Sequence, residues 1–186
     1  MKKAYDMKIA GVSRSLPLCH VTDDLYIGAF VMFGDVEVTV AAATELLKLA
    51  PEFDVILTAE AKSIPLAYEM ARQAGTNKYI IARKGAKVYM TDVTEVEVKS
   101  ITTLSVQKLI IDSNDAEYIK NKRVLIVDDV ISTGESLAAL EKLVNKAGGN
   151  IVAKMSVLAE GDAADRDDII FLEKLPLFNP DGSIKQ

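Results

Sequence analysis

The sequence predicts an α/β fold: a mainly parallel sheet covered by helices on both faces, with a small N-terminal subdomain in front of it. Three observations predict it. Short apolar runs of strand length alternate with stripes of helical spacing, the order that a covered parallel sheet produces. One of those runs, Val124–Val127, is apolar at every position, as a strand buried on both faces requires. That run passes directly into Asp128-Asp129 and then into a hydroxyl and glycine loop, Ser132–Ser136. Such a change of chemistry is expected where a strand delivers its carboxyl end to a ligand.

The elements follow in chain order. Residues 1 to about 35 hold short alternating runs such as Leu25–Phe33 and no long helix, which predicts a small accessory subdomain. Val40, Ala43, Leu47 and Ala50 then share a helical face, and Val55–Leu57 reads as a strand. A second helix carries Ile64, Ala67, Met70, Ala71 and Ala74 on one face and closes at Gly75; the strand Tyr79–Ala82 follows. Val93, Val96 and Val98 alternate as in a hairpin, ahead of the apolar Leu109–Ile111. After Val124–Val127, a third helix bears Leu137, Leu140, Val144 and Ala147 and closes at Gly148–Gly149, and Ile151–Leu158 is the next strand. Beyond Pro176, the residues Pro180, Asp181 and Gly182 predict an irregular tail. The expected organisation is one domain over 1–186, with a front subdomain over about 1–35, a core over 36–178 and a tail over 179–186.

Composition bounds the function. Of 186 residues, 49% are hydrophobic and 26% charged, which excludes wholesale disorder and suits one good core. A net charge of −5, with Lys and Arg scattered among the acids, argues against nucleic acid as a partner. No apolar run approaches the ~18 residues of a membrane span. Asp6 and Lys8 interrupt any signal sequence that Lys2 and Lys3 suggest, so a cytoplasmic protein without membrane contact is expected. Cys19 is the single cysteine and His20 the single histidine, leaving no internal disulfide, no cysteine metal site and no catalytic triad.

The Val124–Ser136 stretch carries the chemistry. N–H groups around Ser132–Ser136 at a helix N-terminus favour a phosphate, while Asp128 and Asp129 would repel one and suit ribose hydroxyls or a divalent cation brought by the ligand. Three other readings compete. A receiver domain places its paired acids near its start, whereas Asp129 lies in the last third of this chain. A nucleotide P-loop needs a Gly-x-x-x-x-Gly-Lys-Ser/Thr spacing that the chain lacks. Plain helix capping by Ser132 leaves the acids, Thr133 and Ser136 without a role.

The stretch closely resembles the phosphoribosyl-pyrophosphate signature of the type I phosphoribosyltransferases: an apolar strand, two acids, two mostly apolar residues, then a small residue, Thr, Gly and a further hydroxyl. The resemblance implies that Asp128 and Asp129 bind the ribose hydroxyls and form the catalytic pair, and that Ser132, Thr133, Gly134, Glu135 and Ser136 wrap the 5-phosphate. Family members acting on hypoxanthine and guanine usually carry Asp at the position of Ser132. Adenine enzymes carry a small residue, as here.

Two further loops fit the same picture. Thr58–Ile64 is a small-residue turn entering a helix, with Lys62 as a cation. It resembles the Glu-Ala-Arg-Gly-Phe pyrophosphate loop of adenine enzymes: Glu60 and Ala61 match, Lys62 stands for Arg, and Ser63 and Ile64 stand for Gly and Phe. Lys keeps the charge and loses the bidentate fork. The run Arg83-Lys84-Gly85-Ala86-Lys87 resembles the Arg-Lys-x-x-Lys run of the same enzymes, so Glu60, Ala61, Lys62, Ser63, Arg83, Lys84 and Lys87 are the expected pyrophosphate residues.

Between Lys87 and Asp112 lies a candidate lid, needed because ribosyl transfer passes through an oxocarbenium-like species that water would capture. Adenine enzymes usually place Glu-Tyr-Gly there; this chain has Ser100-Ile101-Thr102-Thr103, so no general acid is assigned. The resemblance makes the front subdomain a hood over the base, with Leu25 and Phe33 as apolar contacts beside Val130 and Ile131, and Leu16 and Pro17 as further candidates. It covers about Asp54 to Phe178. It implies a homodimeric purine phosphoribosyltransferase, adenine-type first, converting adenine and phosphoribosyl pyrophosphate to AMP and pyrophosphate, with Mg2+ carried by the sugar diphosphate and no metal held by the protein directly. The alternatives are transfer to xanthine or another base, and a regulatory module that binds phosphoribosyl pyrophosphate with little catalysis.

Overall fold

A computed structural model of the chain describes residues 3–90, 92–99 and 106–185. Its centre is a five-stranded sheet built from β4 (Val55–Ala59), β5 (Tyr79–Ala82), β8 (Arg123–Ile131), β9 (Asn150–Glu160) and β10 (Ile170–Leu175), in the order β10-β9-β8-β4-β5 with every neighbouring pair parallel. The wholly apolar run of β8 is explained by its two covered faces. Leu125 and Val127 enter one core with α1 (Val36–Leu49) and α2 (Ile64–Ala74); Val124 and Ile126 enter the other with α3 (Ser113–Ile119) and α4 (Glu135–Lys146). The alternation is the two-residue period of a strand.

The strand placements from sequence hold, with one extension that matters. β8 continues through Asp128, Asp129, Val130 and Ile131, and β9 continues to Glu160. The acid pair therefore lies within β8, two positions before its end, where the sheet still pairs Asp128 with Ser156 and Ile131 with Ala159.

Helix α1 is rotated from the expected stripe. Val38, Thr39, Ala42, Ala43 and Leu46 are buried, whereas Val40 is 40% exposed. Apolar residues in this helix satisfy two registers, and packing chooses between them. Asp35 caps it by accepting from Val38 N at 3.2 Å, and Arg14 Nε donates to Asp35 Oδ2 at 2.7 Å, tying the front subdomain to the core. Gly75, in the left-handed region at φ 71°, closes α2.

The front subdomain is an antiparallel sheet in the order β1-β2-β3-β11: β1 (Ala4–Ile9), β2 (Val12–Thr22), β3 (Leu25–Gly28) and β11 (Leu177–Phe178). Its boundary differs from the expected 1–35, because β11 pairs Leu177 with Ile27 and Phe178 with Tyr26. The tail expected to be irregular instead makes a hydrogen-bonded turn: Asn179 N donates to Ser183 O and Lys185 N to Leu177 O, both at 2.8 Å. Buried Phe178, packed 5.0 Å from the Tyr5 ring, supplies the apolar reason for that return.

The hairpin expected ahead of Leu109 is present as β6 (Thr94–Lys99) and β7 (Val106–Ile111), paired antiparallel. The expected lid run Ser100–Thr103 lies outside the described residues. No described helix is long and apolar enough to cross a membrane.

Candidate functional site

The loops after β4, β5 and β8 meet at the carboxyl edge of the sheet, as parallel neighbours must. They enclose two adjoining clefts. One, of about 390 Å³, is lined by Glu60, Ala61, Lys62, Ser63, Lys84 and Asp129 among others; the second, of about 110 Å³, by Ile131, Ser132, Thr133, Gly134 and Glu135. Asp128, Val130 and Ser136 line both.

Asp128 belongs to the shared wall, and Asp129 faces the larger cleft. Asp129 is 3% exposed, and its Oδ2 is buried without a hydrogen bond; Lys62 Nζ lies 2.9 Å away as an ion-pair contact. Asp128 Oδ1 accepts from Ser63 Oγ at 2.8 Å and from Asp129 N at 2.9 Å. Burial and the adjacent Asp129 charge push Asp128 up to about 7, against the lowering effect of the Ser63 hydroxyl. A site with one buried and one half-buried carboxyl group beside a lysine is suited to receive hydroxyl donors.

In the second cleft, Gly134 sits at φ 79° and α4 begins at Glu135, so the Ser132–Ser136 loop presents the N-terminus of a 12-residue helix. Ser132 and Thr133 are exposed. Glu160, at the end of the neighbouring strand, is 8% exposed; its carboxyl is raised by burial, opposed by a hydrogen bond from Ser132 and by Lys62.

The basic residues divide. Lys84 lines the larger cleft, and its N–H donates to Glu60 Oε2 at 3.1 Å, with Arg83 Nε 3.4 Å from the same oxygen. Glu60 thus ties two loops together. Arg83 also exchanges both backbone hydrogen bonds with Ile110 at 2.8 Å, fixing the β6–β7 hairpin beside the site. Lys87 is exposed and lines neither cleft. Ser63, expected at the pyrophosphate, is 1% exposed and turns its hydroxyl to Asp128. Of the six expected base contacts, Val130 and Ile131 line the clefts; Leu16, Pro17, Leu25 and Phe33 line neither, Leu16 being buried in the core and Phe33 52% exposed. The link of Ser63 to Asp128 and the nearness of Glu160 to Ser132 had no signal in sequence spacing.

Comparison with known proteins bears on this geometry. A family model described as a phosphoribosyl transferase domain matches residues 37–176. A hypoxanthine/guanine phosphoribosyltransferase of Methanothermococcus okinawensis is 34% identical over 124 residues, 66% of this chain and 63% of that protein. An adenine phosphoribosyltransferase of Thermotoga petrophila is also 34% identical, over 102 residues, 55% of this chain and 56% of the relative. The chain thus matches somewhat less than two thirds of the length of these relatives. Among solved structures, the adenine phosphoribosyltransferase of Thermoanaerobacter pseudethanolicus superposes with a TM-score of 0.64 at 24% identity, covering 77% of this chain and 84% of the other. The Saccharomyces cerevisiae enzyme, complexed with an imino-altritol bisphosphate and adenine, gives 0.62 at 20%, covering 76% and 82%.

Proposed function

The chain belongs to the phosphoribosyl transferase family, and on that premise we propose that it transfers the ribosyl 5-phosphate of phosphoribosyl pyrophosphate to a purine base, adenine foremost. One observation carries the reading: two clefts share the Asp128 wall, one at a helix N-terminus and the other holding Lys62 and Lys84. A ligand with a phosphate at each end and a hydroxylated ring between them fits that order of chemistry.

In this reading the 5-phosphate occupies the Ser132–Ser136 loop, and its ribose hydroxyls donate to Asp128 and Asp129. Asp129 Oδ2, buried and in ion-pair contact with Lys62 Nζ at 2.9 Å, is the acceptor assigned to this chemistry. A base nitrogen attacks C1′ as the bond from C1′ to the pyrophosphate oxygen breaks; the base proton leaves to solvent or to the departing phosphate. Lys62 and Lys84 balance the charge gathering on pyrophosphate, while the carboxylates face the positive ring. Magnesium enters chelated to the diphosphate, as part of the substrate.

Adenine is the first choice because Ser132 offers a hydroxyl where a 6-oxopurine site uses a carboxylate. Relatives of both specificities stand at the same identity, so the base assignment rests on that residue. Steady-state turnover of adenine, hypoxanthine, guanine and xanthine with phosphoribosyl pyrophosphate tests it: adenine is expected to dominate, and dominance of a 6-oxopurine would reject it.

A further inference from the structure

The smaller cleft has a charge problem. The residues lining it include Asp128 and Glu135 and no Lys or Arg, yet the proposed occupant is a phosphate carrying up to two negative charges. Helix-terminal N–H groups provide only about half a positive charge. The missing cation stands behind the loop. A Cβ built on Gly134 would lie 2.6 Å from Nη1 of Arg166, so this guanidinium packs against the backbone at the turn of the loop, in space that only glycine leaves open.

Arg166 is held there. Its Nε and Nη2 donate to the two carboxylate oxygens of Asp168, each at 2.8 Å, forming the bidentate fork that fixes a guanidinium plane. Asp168 is itself bonded by Lys154 Nζ, and Lys154 lies 2.7 Å from Glu141 Oε1 on α4. The chain Glu141, Lys154, Asp168, Arg166 alternates in sign and ends with Nη1 at Gly134. Such a chain spends one edge of the guanidinium on its support and directs the other toward the loop.

We propose that Arg166 is a positioning residue for the 5-phosphate: it holds the Gly134 turn in its phosphate-ready shape and turns Nη1, the edge of the guanidinium not used by Asp168, toward the loop. This rests on the reading of the Ser132–Ser136 loop as the 5-phosphate site. It couples the loop to the β9–β10 connection.

The test is calorimetric binding of ribose 5-phosphate and, separately, of inorganic pyrophosphate to the full chain. Arg166→Gln is expected to weaken ribose 5-phosphate by about ten- to a hundredfold, the range for a charged partner, with pyrophosphate changed less than about twofold. Arg166→Lys, which keeps the charge and loses the fork, is expected to recover part of the loss. If Arg166→Gln does not fold, Arg166→Met retains the apolar stem and gives the same comparison. Unchanged ribose 5-phosphate affinity in a folded variant, or equal losses for both ligands, would overturn the proposal while leaving the parent reading intact. Failure of the unmodified protein to bind ribose 5-phosphate would overturn both.

Discussion

Ser63 Oγ donates to Asp128 Oδ1 across 2.8 Å, joining the loop that follows β4 to the end of β8 although 65 positions separate the two residues. Ser63 is 1% exposed, so the bond is not shared with bulk water. It links the wall shared by the two clefts with the loop that carries Lys62, so that one residue fixes the relative position of both. Replacing Ser63 with Ala removes a side-chain hydroxyl that lowers the proton affinity of Asp128. A loss of about 1–3 kcal/mol in unfolding free energy is expected at neutral pH, the cost of stripping a donor from a buried charged group. Denaturant titration checks it, and a change under about 0.5 kcal/mol would show the contact to be incidental.

The acid pair itself opposes folding. Asp128 titrates near 7 when folded, above the ordinary carboxylate value of 3.8, so between those values the native chain holds a proton that the unfolded chain has released. Its contribution to stability is full below about pH 4, falls as pH rises toward 7, and is lost above. Asp128→Asn keeps the acceptor for Ser63 and for the Asp129 N–H while removing the charge. At pH 8 the variant should unfold about 2–4 °C higher, corresponding to about 1 kcal/mol for a chain of this size, with little difference at pH 4. Its affinity for phosphoribosyl pyrophosphate should drop at the same time. Equal melting temperatures at pH 8 would remove the like-charge argument.

The cations after β5 should not act alike. Lys84 lines the larger cleft, and Lys87 lines neither. Lys84→Ala is expected to weaken pyrophosphate by about tenfold and Lys87→Ala by less than about twofold, since an exposed charge away from the ligand is screened. Comparable losses in the two variants would place Lys87 in the site after all.

The central sheet was legible because parallel strands buried on both faces tend to be apolar throughout, and Val55–Leu57 of β4, Tyr79–Ala82 of β5 and Val124–Val127 of β8 announce themselves this way, whereas β9 carries Lys154 and Ser156 within its run and was read from its apolar majority after a helix. The acid pair and the glycine loop were legible for the complementary reason, an abrupt change of chemistry within one local run. What could not be read is nonlocal. Phe178 returns to pair with Tyr26, and Ser63 reaches Asp128, through contacts that no local period encodes. The seven-residue α3 is capped by Asp112 and buries only Ile119, too short a stripe to show a helical period. Phe33 was expected as a base contact through the resemblance of the front subdomain to a hood, yet ahead of α1 it is turned outward and lines neither cleft.

That outward turn gives Phe33 a different expected role. Val31, Phe33, Val36 and Tyr68 are each more than half exposed, around an apolar groove of about 220 Å³ lined by Met32, Val36, Val40 and Tyr68. A homodimer burying this face is expected, and sedimentation at micromolar concentration should show a species of twice 20.2 kDa. Phe33→Asp should shift it to the monomer with the melting temperature little changed. A 20.2 kDa species from the unmodified chain would exclude the dimer.

In the proposed reading base choice depends on Ser132, which follows the last residue of β8 and hydrogen-bonds Glu160 at the end of the neighbouring β9. Ser132 presents a short hydroxyl, and the neighbouring carboxyl is buried and drawn toward its neutral form. Introducing Asp at 132 places a carboxylate where a 6-oxopurine offers its ring N–H, and a site that pairs such a group can discriminate far more strongly than shape alone. The same change sets two carboxylates side by side, so one of them is expected to stay protonated near neutral pH. The ratio of kcat/KM for hypoxanthine over adenine should therefore rise by at least about tenfold in Ser132→Asp, with the larger effect at higher pH where the new acid ionises. Pairing Ser132→Asp with Glu160→Gln relieves the like-charge clash and should preserve the shift while moving it to lower pH. A ratio unchanged in both variants would mean that residue 132 does not face the base, and the adenine assignment would lose its only residue-level support.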